Sequence, residues 1–240
     1  MAERDARFWA NFLGIEASDW SVPGVCVRAH VGLAGYQGLW SFRHAERVVV
    51  SAPLDWVERV AVLIEGVVQA ELLQAATWQR LFGAACSRTI GPAYQGCLEP
   101  ERFVAVPNTG VERLLGDPSA VFAEFRDAVG DEAWDEDGIA DARELVAVRR
   151  EGSQPVALCG YRRWAEAAGD PCVVVHPAFR GRGYGTAVVS AVVESALLAG
   201  QTLLYQTLES NTAATAIAAR LGYERFARHL AVRLNGSEPS

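Results

Sequence analysis

Apolar positions along this chain switch between a spacing of three to four and a spacing of two, and the switches mark its elements. Phe8, Trp9, Phe12 and Leu13 fall on one side of a helix over residues 5–14, which Val22-Pro23-Gly24 closes off. Val25 to Val31 alternates as a half-buried strand, Leu39 to Phe42 reads as a second and Arg47 to Ala52 as a third. Gly32, Gly35 and Gly38 mark the turns between them. Two helices follow. The first starts after Ser51, takes Pro53 in its first turn and places Trp56, Val57, Val60, Leu63 and Ile64 at helical spacing. The second runs from about Gln69 to Phe82 and stops at Gly83.

Residues 89–110 are rich in Pro and Gly and read as a connection, so a domain boundary is expected near residue 105. That gives an N-terminal α/β subdomain over 1–104, a second domain over 105–234 and a tail, 235–240, expected to be disordered. The second domain opens with a short strand, Val111 to Leu115. A helix follows, with Asp117 as N-cap, Pro118 at its first position and Val121, Phe122, Phe125 and Val129 on its apolar side. An acidic stretch (Asp131, Glu132, Asp135, Glu136, Asp137) surrounds Trp134; beside an acceptor pocket it would attract a cationic amine, otherwise it is a solvated linker. Next come a hairpin over 144–161 and a β-branched run, Cys172 to Val175, ended by His176-Pro177. Past a glycine-rich loop, a helix from about Tyr184 stops at Gly200, and Leu203 to Leu208 is a strand. A helix of small residues from Asn211 closes at Gly222, and a last strand lies between Arg225 and Leu234.

The loop between the β-branched run and the helix is where chemistry is expected. Arg180-Gly181-Arg182-Gly183-Tyr184-Gly185-Thr186 joins a strand end to a helix N-terminus. The first helical turn presents unpaired N–H groups and partial positive charge, and glycines let an anion approach without Cβ atoms in the way. A dinucleotide fingerprint fails because Thr186 stands at the third glycine position, and no GxxxxGK[ST] loop occurs.

Composition narrows the partners. The chain has 240 residues, half of them hydrophobic, and a net charge of −7, which argues against general nucleic-acid binding. Its only basic residues besides histidine are arginines. Five cysteines (Cys26, Cys86, Cys97, Cys159, Cys172) lack metal-site spacing and suit reduced thiols; with no long apolar run, a cytoplasmic protein without membrane partner or metal is expected.

Arg180-x-x-Gly183-x-Gly185 after a hydrophobic strand, then Asn211 and the step Ala219-Arg220-Leu221-Gly222-Tyr223, resemble the two ordered motifs of the GNAT superfamily of acyl-CoA-dependent N-acyltransferases. The resemblance covers roughly residues 105–234 and implies an α+β fold: a mixed, largely antiparallel twisted sheet flanked by helices, here with a smaller N-terminal α/β subdomain. It implies acetyl-CoA as cofactor and an amine acceptor, in a small molecule or a peptide. The main chain of Val173, Val174 and Val175 would pair with the pantetheine arm, and Gly181, Arg182, Gly183, Tyr184, Gly185 and Thr186 would hold the pyrophosphate. Arg180 matches the first signature position, and Asn211 matches the asparagine that helps fix the cofactor. Two positions depart from the family. Ala218 stands where many relatives have a tyrosine that protonates the CoA thiolate, and Gln206 where some place a glutamate base. Glu209 is the nearest carboxylate and the candidate base. These departures leave open a non-catalytic acyl-CoA-binding module, and a C-terminal edge strand leaves open a homodimer.

Overall fold

The computed structural model describes residues 3–131, 134, 138–165 and 168–235. In chain order its helices and strands begin with α1 (Glu3–Leu13), β1 (Gly24–Ala29), β2 (Gly38–His44), β3 (Arg47–Ala52), α2 (Val57–Leu63), α3 (Ala75–Phe82) and β4 (Cys86–Leu98). They continue with β5 (Val111–Arg113), α4 (Ser119–Val129), β6 (Glu144–Glu151), β7 (Gln154–Ala165) and β8 (Ala168–Val175). The last are α5 (Tyr184–Leu198), β9 (Thr202–Leu208), α6 (Thr212–Arg220) and β10 (Glu224–Leu234). The chain divides into two compact units: Met1–Gly96 with Gln206–Thr212 and Arg225–Ser240, and Cys97–Tyr205 with Ala213–Glu224. The division expected at 104/105 is drawn on sequence; by contacts the chain first changes unit after Gly96, and two later segments return to the first.

In the first unit the strands lie in the order β1-β3-β2-β10-β4. β1 runs parallel to β3, and β2 is antiparallel to both β3 and β10. β3 is buried at every position because both faces of the sheet are covered. Val48, Val50, Leu230 and Val232 pack with Val60 of α2 and Trp78 and Phe82 of α3. On α1, Trp9 meets Phe42 at 4.8 Å and Phe12 meets Trp40 at 5.9 Å.

Three expectations change here. The helix expected from Gln69 to Phe82 is broken at Gln74, whose extended backbone separates a 3-10 turn, Gln69–Leu73, from α3. The Pro/Gly connection is a strand as far as Leu98, because Ala93, Tyr94, Gln95, Cys97 and Leu98 are all buried and their burial outweighs the turn signals of Gly91 and Pro92. The C-terminal strand is no edge: β10 lies between β2 and β4. Asn235 donates to the Ala85 carbonyl at 2.9 Å, and residues 236–240 of the expected tail lie outside the described residues.

The second unit orders its strands β9-β8-β7-β6-β5, antiparallel except for β8 and β9. α5 crosses β6, β7 and β8 on one face. On the other, Phe122 and Phe125 of α4 pack against Val146, Val148, Leu158, Cys172 and Val174, the period-2 set of those strands. α4 starts one residue later than expected, at Ser119 with Pro118 as its N-cap, and Asp117 stands just before the cap, its Oδ1 accepting from the Ser119 backbone N–H at 3.0 Å. Trp134 is buried against Phe122, whereas Glu132, Asp135, Glu136 and Asp137 of the acidic stretch lie outside the described residues.

Gly222, which ends α6, has φ +94°, and a Cβ there would come within 2.0 Å of the Arg102 carbonyl oxygen. Gly222→Ala is therefore expected to cost upwards of about 2 kcal/mol, through a left-handed backbone and an immovable neighbour. A lowered urea midpoint checks it; an unchanged one contradicts the placement.

Candidate functional site

β8 and β9 begin as a parallel pair and then part. Their registered pairs are Ala168↔Thr202 and Gly169↔Leu203, while β8 continues to Val175. Beyond Gly169, β8 keeps β7 on one side, from Arg162↔Asp170 to Ala157↔Val175. Backbone groups alternate between the two edges of a strand, and the bond from His176 N–H to the Val156 carbonyl sets the phase: Val174 faces β7, while Val173 and Val175 face the opposite edge, where the Val175 carbonyl accepts from Arg180. Val174 is buried on the α4 side, and Val173 and Val175 are half-buried on the α5 side.

The chain turns from β8 into α5 through a 3-10 turn, Pro177–Phe179, which His176 caps by accepting from the Ala178 N–H. Gly181 and Gly183 have φ +76° and +80°, the region where a Cβ is strained, and nothing stands within 4 Å of where their Cβ atoms would be. The first bond of α5 runs from Ala187 N–H to the Gly183 carbonyl, at 3.1 Å, so the amides of Tyr184, Gly185 and Thr186 find no acceptor within the helix. Gly185 packs closely: a Cβ there would lie 3.0 Å from Val175 Cγ2 and 3.4 Å from Ile217 Cδ1. The seven loop residues named from sequence thus lie together at the start of α5, where Arg182, Gly183, Tyr184 and Thr186 line a cleft.

Beside this turn is a cleft of about 250 Å³ lined by residues that include Thr109, Arg149, Arg182, Tyr184, Thr186 and Arg220. The arginines differ in their commitments. Arg149 donates to the Thr109 carbonyl at 2.7 Å and to Glu151 at 2.9 Å, with its guanidinium 5.1 Å from the centre of the Tyr184 ring. Tyr184 donates its hydroxyl to the same Glu151. These contacts, the Tyr184 hydroxyl first and Arg149 next, hold the Glu151 carboxyl below its ordinary value. Arg182 lies over Phe179 and Arg180 donates to the Val175 carbonyl. Elsewhere in this unit Arg102, Arg113, Arg150, Arg162 and Arg163 are ion-paired with Glu224, Glu194, Glu124, Asp170 and Glu144. Among the described residues Arg180, Arg182 and Arg220 have no carboxylate within 4.0 Å. In a chain of net charge −7, arginines without a paired carboxylate beside a turn of unpaired amides make a local positive potential of the kind that suits an anion, although Arg182 also feels the charge of Glu151.

The family model described as "Acetyltransferase (GNAT) family" matches residues 112–223. Those residues belong to the GNAT acetyltransferases. A GCN5-related N-acetyltransferase-like protein from Streptococcus suis superposes with TM-score 0.52 at 16% identity, over 97% of this chain and 99% of that one. A GNAT-family acetyltransferase from Colwellia psychrerythraea (TM-score 0.50, 13% identity, 79% and 77%) has the same fold. So does a GCN5-related N-acetyltransferase from Kribbella flavida (TM-score 0.50, 19% identity, 68% and 64%). No curated protein matches the sequence. The GNAT domain makes this chain an acyltransferase whose donor is acetyl-CoA.

The remaining named positions fall in the first unit. Asn211 precedes α6, its N–H bonded to the Leu208 carbonyl at 3.0 Å. Glu209 accepts from Arg228 at Oε2, and its Oε1, 3.6 Å from Arg225, is buried without a hydrogen bond. Of the departures, Ala218 in the second unit is fully buried, and Gln206 reaches the ring of His229. No group of residues that could hold a metal occurs among the described residues, and no helix there is long and apolar enough to cross a membrane.

Sequence reasoning missed Arg149, Thr109 and Arg220 in the cleft, and a buried polar row centred on His229. That imidazole stacks on Trp40 at 4.3 Å, with the Gln95 carboxamide 2.6 Å from Nδ1 and that of Gln206 3.4 Å from Nε2. A neutral ring donates at one nitrogen and accepts at the other, and a carboxamide can meet either. Burial lowers the His229 pKa from 6.5 to about 3. The unfolded chain then binds a proton that the folded one refuses, so stability is complete above the unfolded value of 6.5 and falls as pH drops toward 3. The slope is about 1.4 kcal/mol per pH unit. His229→Gln is expected to flatten this part of the curve, as urea unfolding between about pH 4 and pH 7 would show; an unaltered slope would exclude His229 as its source.

Proposed function

We propose that the GNAT domain moves the acetyl group of acetyl-CoA to an amine, in a small molecule or a peptide, by direct attack within a ternary complex. The fork of β8 from β9 beside a turn of free amides is the observation that carries this reading. A strand edge with free backbone groups suits the amide-bearing pantetheine arm; Val173 and the N–H of Val175 are its proposed main-chain partners, and Val174 is assigned to the arm by family likeness alone. The amides from Gly181 to Thr186, with Arg180 and Arg182, suit the pyrophosphate. Asn211 is assigned to the same cofactor by family likeness.

Catalysis in this scheme comes mostly from orientation and from strand N–H donors to the thioester oxygen. The amine nitrogen bonds to the carbonyl carbon, the C–S bond breaks, and the thiolate takes up a proton released by the attacking nitrogen. With Ala218 in place of a tyrosine, no side chain is assigned as that acid. Glu209 is proposed as the base. Its Oε2 is anchored by Arg228 and its Oε1 has a free lone pair shielded from water, which suits a carboxylate waiting for an N–H. A cytoplasmic setting fits the five free cysteines.

Arg182→Glu combined with Gly183→Asp is expected to abolish the rise in melting temperature on adding acetyl-CoA, with the unliganded melting temperature lowered modestly because Gly183 has φ +80°. An undiminished rise would remove the loop from the site. For the base, Glu209→Gln is expected to lower kcat by roughly 10²–10⁴-fold with acetyl-CoA affinity unchanged. Free CoA release across a panel of primary amines is the measurement. Binding of acetyl-CoA by the unaltered protein without turnover on any amine would sink the transfer reading and leave a binding module.

A further inference from the structure

The cleft holds more positive charge than a pyrophosphate at the turn requires. CoA carries two separated anionic groups, the diphosphate in its chain and a phosphate monoester on the 3′ carbon of its ribose. The first is accounted for by the amides of the turn with Arg180 and Arg182. Arg220 is not used by that assignment, although it lines the same cleft.

We propose that Arg220 is the ligand of the 3′-phosphate and makes this domain selective for CoA over its dephosphorylated form. The inference rests on the acetyl-CoA reading. Three observations converge on it. Arg149 is committed to the Thr109 carbonyl and to Glu151, so it is a fixed wall of the cleft. Gly110 leaves room for it there, since a Cβ would lie 1.8 Å from the Arg149 guanidinium nitrogen. Arg182 is drawn toward the loop by Phe179 and by the Ala178 carbonyl, 3.4 Å away. Arg220 alone of the three makes no hydrogen bond or ion pair among the described residues, so its fork of donors is available.

The surroundings suit a phosphate on a sugar. Thr109 and Thr186 bring hydroxyl groups to the lining, while Val106 and Pro107 add an apolar wall. The volume of about 250 Å³ is several times the roughly 30 Å³ of a water molecule. That is room for a phosphate and the ribose carbon it hangs from. A guanidinium meets phosphate with two parallel N–H bonds, which a lysine ammonium does not reproduce. Arg220 also ends α6, where a cation offsets the helix dipole; that role alone would not distinguish one form of the carrier from the other.

The test is a chemical double-mutant cycle by isothermal titration calorimetry, with CoA and 3′-dephospho-CoA against the unaltered protein, Arg220→Gln and Arg220→Lys. The unaltered protein is expected to bind CoA tighter by about tenfold or more. Arg220→Gln should bring that ratio close to one by weakening CoA alone, and Arg220→Lys should keep an intermediate ratio. Because each ratio is measured within one variant, a general loss of folded protein cancels. Equal affinities in the unaltered protein would overturn the proposal, as would an Arg220→Gln change that weakens both carriers by the same factor. Binding of neither carrier by the unaltered protein would overturn the acetyl-CoA reading itself.

Discussion

The parting of two parallel strands sets the form of the second unit, and it is clamped at its closed end. Gly169 and Leu203 are the last registered pair. Tyr161 lies over Gly169, where a Cβ would come within 2.6 Å of the ring, and its hydroxyl reaches across to donate to the Thr202 carbonyl at 3.2 Å. One residue further on, the side chain of Asp170 is almost wholly buried, and Arg162 at 3.1 Å and Trp164 at 2.6 Å hold it. Burial raises the Asp170 carboxyl above its ordinary value against the pull of Arg162. A buried pair of this kind contributes little net stability, yet breaking one half of it is costly, so it fixes geometry. An unpaired strand edge is unfavourable in a protein interior unless a ligand or water meets it. The fork is thus an opening that the fold holds against its own preference for paired strands.

Charge organises the region beyond the fork. Most arginines of the second unit are matched with a carboxylate, and the exceptions concentrate at the turn and its cleft. The amides of Tyr184, Gly185 and Thr186 point their donors out of the helix end in the same neighbourhood. Neither feature would suffice alone: exposed arginines are commonplace, and every helix has an N-terminus. Their coincidence beside an open strand edge gives the region one chemical meaning.

The sequence was most informative where chemistry depends on neighbours along the chain. Arg180 to Thr186 is a local motif, so its glycine φ angles, its helix start and its preceding strand were all legible. The alternating hydrophobic code likewise announced β6, β7 and β8. Positions brought together from afar were silent. Arg149 enters the cleft from β6 and nothing in its own surroundings marks it; Arg220, from the end of α6, lies inside the Ala219–Tyr223 step, but that step does not say where its side chain goes. The row Gln95, His229 and Gln206 draws one residue from each of three strands. β4 was misread because Gly91 and Pro92 speak locally for a turn, while the burial of Ala93 to Leu98 depends on neighbours more than a hundred residues away.

The captive position of β10 bears on how the chain is made. Ribosomes release a protein from its N-terminus, and units usually fold as they emerge. Here the first unit owns the first 96 residues but lacks the strand between β2 and β4 until residues 225–234 have been synthesised. Its two apolar faces and a pair of open strand edges must therefore be shielded while the whole second unit is translated. The part of the molecule begun first is the part completed last, so termination ahead of β10, near residue 224, would unmake the N-terminal half.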